Sequence, residues 1–184
     1  KDVDMADPVI VKAPQDSGVP AWARDFGVQD RVVLVTGAGQ GLGREFARQY
    51  AAAGAIVAVA DLNAANADSV VAEIKSAGGR AMAIQVDVAD PASVEKMVAD
   101  IVAAHGRIDV LLNNAGIFAT LDKRKFYDIP IPEWEKVIKV NVTGPFLCAR
   151  AVVPAMRQQG WGRIINIASD AVTKGVMNYL HYVT

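Results

Sequence analysis

The sequence has few of the residues that staple, chelate or span. It holds one cysteine, Cys148, so no intramolecular disulfide can form, and such usage fits a reducing compartment, the cytosol. The two histidines, His105 and His181, are distant in sequence from each other and from Cys148, which leaves no transition-metal ligand set. Neither sign of charge dominates. Nineteen Lys and Arg against twenty Asp and Glu give a net charge of −1, which argues against a nucleic-acid surface or a polybasic membrane patch. No uninterrupted apolar run reaches the roughly 18 residues of a membrane span, and no signal peptide is apparent. Internal repeats and low-complexity segments are missing too. What is there is a chain of 184 residues, 52% hydrophobic and 21% charged. At about 150 residues per domain that is one domain, apolar enough to bury a core and to exclude intrinsic disorder.

Residues 1–29 differ from the rest. Pro8, Pro14 and Pro20 punctuate them, with Asp2, Asp4, Asp7 and Asp16 between, and the expectation is an extended arm packing locally through Trp22 and Phe26. Residues 30–184 read as one domain. From Arg31 a regular alternation begins. Apolar strands are expected at 32–35, 55–60, 80–86, 109–112 and 162–168. Helices are expected at 42–53, 64–77, 92–104 and 133–158, the last bent by Gly144-Pro145 and Pro154. The third of these shows the pattern well: Val94, Met97, Val98, Ile101 and Val102 form a helical stripe. The strands are apolar on both faces, the mark of a parallel sheet covered by helices on both sides. The fold class is therefore α/β, a doubly wound parallel sheet in three layers, the Rossmann type.

The junction between the first strand and the first helix carries Thr36-Gly37-Ala38-Gly39-Gln40-Gly41-Leu42-Gly43. Glycines there permit a tight turn and a close approach of backbone to a pyrophosphate, which the helix N-terminus attracts. The strict G-x-G-x-x-G pattern is absent, since the sixth residue from Gly37 is Leu42. Asp61 ends the second strand, 24 residues beyond Gly37. A carboxylate at that place accepts from ribose hydroxyls and repels a 2′-phosphate. The following residues, Leu62 and Asn63, are uncharged, as is Gln40. NAD is thus favoured over NADP. The competing reading makes Asp61 a cap for the helix starting near Ala64, a task Asn63 can also perform.

Taken together, these motifs resemble the short-chain dehydrogenases/reductases, over about 31–184. The glycine turn matches that family's TGxxxGxG. Asp87-Val88 matches the pair that contacts adenine, and Asn113-Asn114-Ala115-Gly116 matches NNAG, a wall of the cofactor site. Asn141 matches the family's helix asparagine, and Ser169 stands where its catalytic serine is expected. Tyr182 follows Ser169 by the family's thirteen residues, whereas Tyr179 does not. The family's lysine would fall at position 186, past Thr184, as would its later strands. The resemblance implies hydride transfer between a nicotinamide and a carbinol carbon, with Tyr182 exchanging the proton, Ser169 orienting the substrate oxygen and Asn141 holding a relay water. It also implies a homodimer or homotetramer. The nearest in appearance are bacterial NAD-dependent secondary-alcohol dehydrogenases and reductases of 3-oxoacyl carrier protein. The expected cofactor contacts are Gly37, Gln40, Gly41, Leu42, Gly43, Asp61, Leu62, Asp87, Val88, Asn114, Ala115, Gly116 and Tyr182. No metal site is expected.

Plainer roles stand beside these. Ser169 can cap a helix, Tyr182 can pack, Asn141 can back-bond and bend its helix, and Asn113 and Asn114 can make an Asx turn. A non-catalytic dinucleotide-binding module also fits, and a lysine at 186 would distinguish the enzyme from it. Lys123-Arg124-Lys125 reads as a solvated loop, Cys148 as buried packing, and His181, next to the expected tyrosine, is not expected to be catalytic. Substrate is expected between Ile117–Leu121 and Asp170–Val176, whose Ile117, Phe118, Leu121, Val172 and Val176 suit a moderately apolar alcohol or ketone, with Met177 just beyond.

Overall fold

The computed structural model describes residues 27–184. The expected arm at 1–29 lies, apart from its last three residues, outside the described residues. Five parallel strands form one sheet in the order β3-β2-β1-β4-β5. They are β1 Val32–Thr36, β2 Ile56–Asp61, β3 Arg80–Gln85, β4 Val110–Asn113 and β5 Arg163–Asn166. Between them run α1 Gly41–Ala52, α2 Ala64–Ser76, α3 Pro91–His105, α4 Ile131–Ile138 and α5 Gly144–Gln158, and two single turns follow, α6 Ala171–Lys174 and α7 Leu180–Val183. The chain leaves β1 in one direction to build β2 and β3, then returns to place β4 on its other side. The crevice between β1 and β4 is the topological switch point, where ligands of such sheets bind.

The pleat sends alternate residues of each strand to opposite faces. Val33, Val35, Val57, Val59, Val110 and Leu112 pack under α1 and α2 with Ala47, Ala67, Val70 and Ile74. Val32, Leu34, Ala58, Ala60 and Leu111 pack under α3 and α5 with Val94, Met97, Ile101, Cys148 and Val152. The expected three layers are present, with one exception. β5 is exposed along its whole length, Ile164 at 38% and Ile165 at 39%. It is an outer strand with only β4 beside it, and no helix covers it among the described residues.

At the opposite end of the sheet from the glycine turn, Asp109 is fully buried. It accepts from the Val32 N–H (2.9 Å), from Arg31 Nη1 (3.1 Å) and from Arg107 Nε (2.8 Å). Arg31 and Arg163 each stack on the Trp161 ring, at 4.2 and 4.9 Å from its centre. This clamp ties the starts of β1, β4 and β5 together.

The long helical region is one run of 28 residues, Ile131–Gln158. By length and composition it would suit a bilayer, but its Leu147, Cys148, Val152 and Met156 are buried in the core beneath the sheet. The expected bend at Gly144-Pro145 is displaced. The irregularity is a π-turn over Lys139–Thr143, immediately before Gly144, and Pro145 sits in the first turn of α5, its missing N–H leaving the Asn141 carbonyl without an α-helical donor. Pro154 does stand inside α5.

Candidate active site

The glycine turn is shaped by its neighbours. Gly37 has φ 62° and Gly41 φ 55°, left-handed values that favour glycine. A Cβ on Gly37 would stand 2.8 Å from Ala115 Cα, and one on Gly43 would press into the Gly37 carbonyl and Asn114 Nδ2. The turn therefore packs directly on the Asn113–Gly116 segment. Thr36 makes that junction. Its Oγ1 accepts from the N–H groups of Asn114 and Ala115, both at 3.1 Å, and donates to the Leu112 carbonyl at 3.4 Å. Asn114 Nδ2 donates to the carbonyls of Thr36 (3.0 Å) and Gly37 (3.1 Å). Asn113 points the other way, donating to Asn166 Oδ1 at 2.9 Å. These asparagines bridge strands instead of making an Asx turn. Thr36 stood inside the quoted motif yet was given no role, because its partners lie 78 and 79 residues away.

The helix starts differ in a telling way. Asn63 caps α2 by accepting from the Asn66 N–H, and Asp90 caps α3 by accepting from Ala92 and Ser93. At α1 the Gln40 side chain makes no such bond, and the first turn holds no acidic residue. Its free N–H groups and positive dipole end open into the cleft.

Asp61 is not the helix cap. Its Oδ2 accepts from the Gly39 N–H (2.8 Å) and its Oδ1 from the Asn63 N–H (2.9 Å). Both bonds fix the carboxylate at the cleft edge and leave each oxygen further lone pairs. Gly39, missed as a site residue, is required here, because a Cβ on it would lie 2.8 Å from Asp61 Cγ. The basic residues of α1 are committed elsewhere: Arg44 pairs with Glu73 at 2.7 Å and Arg48 with Glu45 at 3.0 Å. Leu42 and Leu62 expose 67% and 65% of their surface, apolar walls left open at the cleft. Asp87 Oδ1 accepts from the Ala89 N–H, and Val88 is buried against Gly144.

One cleft of about 2290 Å³ is lined by Gly37, Gln40, Gly41, Leu42, Gly43, Asp61, Leu62, Asp87, Val88, Asn114, Ala115, Gly116, Asn141, Ser169 and Tyr182. Every residue expected to contact cofactor or take part in proton transfer thus borders a single space. The Asn141 side chain faces the segment after β4: its Oδ1 accepts from the Ile117 N–H (2.8 Å) and its Nδ2 donates to the Ile117 carbonyl (3.1 Å). Ser169 Oγ accepts from the Ala171 N–H at 3.2 Å, a capping contact that leaves its O–H free to donate. The Tyr182 ring lies against Phe118, centroids 4.5 Å apart, and Phe118 also meets Tyr179 at 5.6 Å. Of the two expected substrate loops, Ile117–Thr120 and Asp170–Val172 border the cleft, whereas Leu121, Val176 and Met177 do not.

The short chain dehydrogenase family model matches residues 31–184. The chain belongs to this family. Among curated relatives of this short-chain dehydrogenase, the D-threitol dehydrogenase of Mycolicibacterium smegmatis is 37% identical over 158 residues, covering 86% of this chain and 60% of its own. The NAD-dependent glycerol dehydrogenase of Listeria innocua is 35% identical over 159 residues, with the same coverages of 86% and 60%. The (2S)-[(R)-hydroxy(phenyl)methyl]succinyl-CoA dehydrogenase subunit BbsD of Thauera aromatica is 39% identical over 146 residues, covering 79% of this chain and 58% of its own. The chain thus spans about three-fifths of the length of these relatives.

Proposed function

We propose that the protein carrying this chain is an NAD-dependent oxidoreductase acting on a secondary alcohol or ketone. The observation that carries the reading is the uncapped N-terminus of α1, opening beside Asp61 into the cleft that Ser169 and Tyr182 also line. An anion is what those free N–H groups lack, and a pyrophosphate supplies it. Asp61, already oriented by Gly39 and Asn63, accepts from the adenosine ribose hydroxyls and opposes a 2′-phosphate. Leu42, Leu62, Val88 and Ala115 supply apolar wall.

Bound there, the nicotinamide supplies the hydride chemistry. The chain's own part is position and proton transfer. Tyr182 exchanges a proton with the substrate oxygen at its Oη, and Ser169 donates to the same oxygen. The Asn141 amide is engaged with Ile117, so its carbonyl is the atom left to hold a water. That carbonyl has no α-helical donor, because the residue four on is Pro145, which lacks an N–H.

Ile117, Phe118 and Val172 favour an apolar substrate. A second reading, a 3-oxoacyl thioester substrate, is favoured by the acyl-CoA name of the Thauera relative. The lone cysteine supports a cytosolic setting for the enzyme, and the family resemblance supports a homodimer or homotetramer. Assaying secondary alcohols, polyols, ketones and a 3-oxoacyl thioester by nicotinamide absorbance tests the reading, with Tyr182→Phe alongside. Turnover lost in the variant with NAD binding retained supports it. Binding of NAD with no turnover of any class leaves a dinucleotide-binding module instead.

A further inference from the structure

Tyr182 stands on α7. Its one buried residue is His181, whose side chain has no exposed surface. Tyr182 follows on the same turn, so the two side chains leave α7 roughly 100° apart. Fixing the direction of His181 therefore fixes that of Tyr182.

What His181 meets is Glu133, in the first turn of α4, with Nε2 3.4 Å from Oε1. That Glu133 oxygen also lies 3.6 Å from Arg124 Nε. Arg124 in turn holds Asp122 at 2.8 Å, and its backbone N–H donates to the Asn178 carbonyl at 2.9 Å, just ahead of α7. Neither ring nitrogen of His181, nor Glu133 Oε1, has a hydrogen bond among the described residues. Polar atoms buried without partners are rare and unfavourable, and the mutual approach of imidazole and carboxylate is what offsets their burial. On the far side of the turn, Tyr182 rests on Phe118.

The geometry points to Glu133 and His181 as a positioning pair. The imidazole N–H facing the carboxylate, braced by Arg124, sets the direction in which the Tyr182 phenol enters the cleft. Its consequence for turnover rests on the reading of Tyr182 as the proton-exchanging group; the anchoring itself does not.

The test uses the full-length protein with Glu133→Leu, Glu133→Gln and His181→Leu, and Tyr182→Phe in parallel. Three quantities are read: amide hydrogen exchange at Tyr182–Thr184, kcat, and the Kd for NAD. Glu133→Leu and His181→Leu are expected to speed exchange at least tenfold and to lower kcat at least tenfold, with the Kd for NAD within twofold of wild type. Glu133→Gln, whose amide oxygen can face the imidazole N–H in the same way, is expected to recover kcat to within threefold. Exchange and kcat both within twofold of wild type in Glu133→Leu would overturn the proposal. So would a fall in kcat matched by an equal loss of NAD affinity, which marks general damage. Turnover retained by Tyr182→Phe sinks the acid/base reading alone, and faster exchange in Glu133→Leu then still establishes the anchor. If His181→Leu does not fold, the two Glu133 variants decide.

Discussion

Gly37 and Gly41 offer a controlled measurement of how tightly the cofactor turn is packed. Both hold left-handed backbone, at φ 62° and 55°, so alanine at either place meets the same conformational cost of about 1–2 kcal/mol. They differ in surroundings. A Cβ on Gly41 meets nothing within 4 Å, whereas one on Gly37 stands 2.8 Å from Ala115 Cα and 3.1 Å from Ala115 N. Those are backbone atoms tied to Thr36 Oγ1 and cannot rotate away. Overpacking of this kind adds about 1–3 kcal/mol. Gly41→Ala is therefore expected to lose about 1–2 kcal/mol and Gly37→Ala about 2–5 kcal/mol. Urea titration followed by tryptophan fluorescence reads the gap as a difference in midpoint at unchanged slope. A domain of this size converts each kcal/mol into roughly 2–4 °C of Tm, so the two variants should melt about 2–12 °C apart. Displacing Ala115 also opens the β1–β4 crevice, so Gly37→Ala should weaken NAD binding at least tenfold. Equal losses of stability in the two variants would refute the argument, because the packing difference is all that separates them.

Three other outcomes are expected. Asp61→Ser should lower the preference for NAD over NADP at least tenfold when both dinucleotides are titrated by fluorescence; an unchanged ratio would show that the carboxylate does not discriminate. Asp109→Asn leaves Arg31 and Arg107 without their buried counter-charge, and because both arginines keep some water the loss belongs at the low end of a broken buried pair, about 3 kcal/mol in urea unfolding. A loss under about 1 kcal/mol would remove the clamp from the list of stabilising features. Burial pushes the Cys148 thiol up to about 12. A thiol that resists ionisation only when folded stabilises fully below its unfolded pKa, and that contribution fades as pH rises from about 9 towards 12, by up to roughly 1.4 kcal/mol per unit. Cys148→Ala should flatten that alkaline slope, and the wild-type thiol should resist disulfide reagents near pH 8 until the protein unfolds.

How much of this was legible in the sequence depended on how far each residue's partner lies along the chain. Apolar runs closed by glycine located β1, β2 and α1 to within a residue or two, because the governing interactions are local. Contiguous motifs behaved the same way, and Gly37–Gly43 and Asn113–Gly116 border one cleft. Features built on distant partners were not legible. Prolines marked the long helix as irregular near Gly144-Pro145, and the π-turn lies just before them; what they could not show is that the Asn141 side chain is drawn to Ile117, 24 residues back. Thr36 stood at the head of the glycine motif, and its function as a bolt between β1 and β4 appears only when the strands are adjacent. The apolar Ile164 and Ile165 suggested a covered strand, but coverage is a property of the neighbours, and among the described residues β5 has only β4 beside it. His181 fitted no motif because Glu133 precedes it by 48 positions.

The side chains nominated for chemistry also divide by what the protein has left them free to do. A polar group already satisfied within the fold has little to offer a ligand, since turning towards it would break a bond of about 1 kcal/mol and strand its partner. Asn141 has committed both ends of its amide to Ile117, so its side chain holds the segment after β4 in place, and only its backbone remains for a water. Ser169 has accepted one N–H and still has a proton to give. Tyr182 is held through its ring by Phe118, and its hydroxyl has no hydrogen bond among the described residues. Two hydroxyls able to donate border a cleft with an uncapped helix end and an oriented carboxylate, an arrangement open to a ligand. The polar clamp at Asp109 differs: it is fully buried and paired with Val32, Arg31 and Arg107, a structural arrangement.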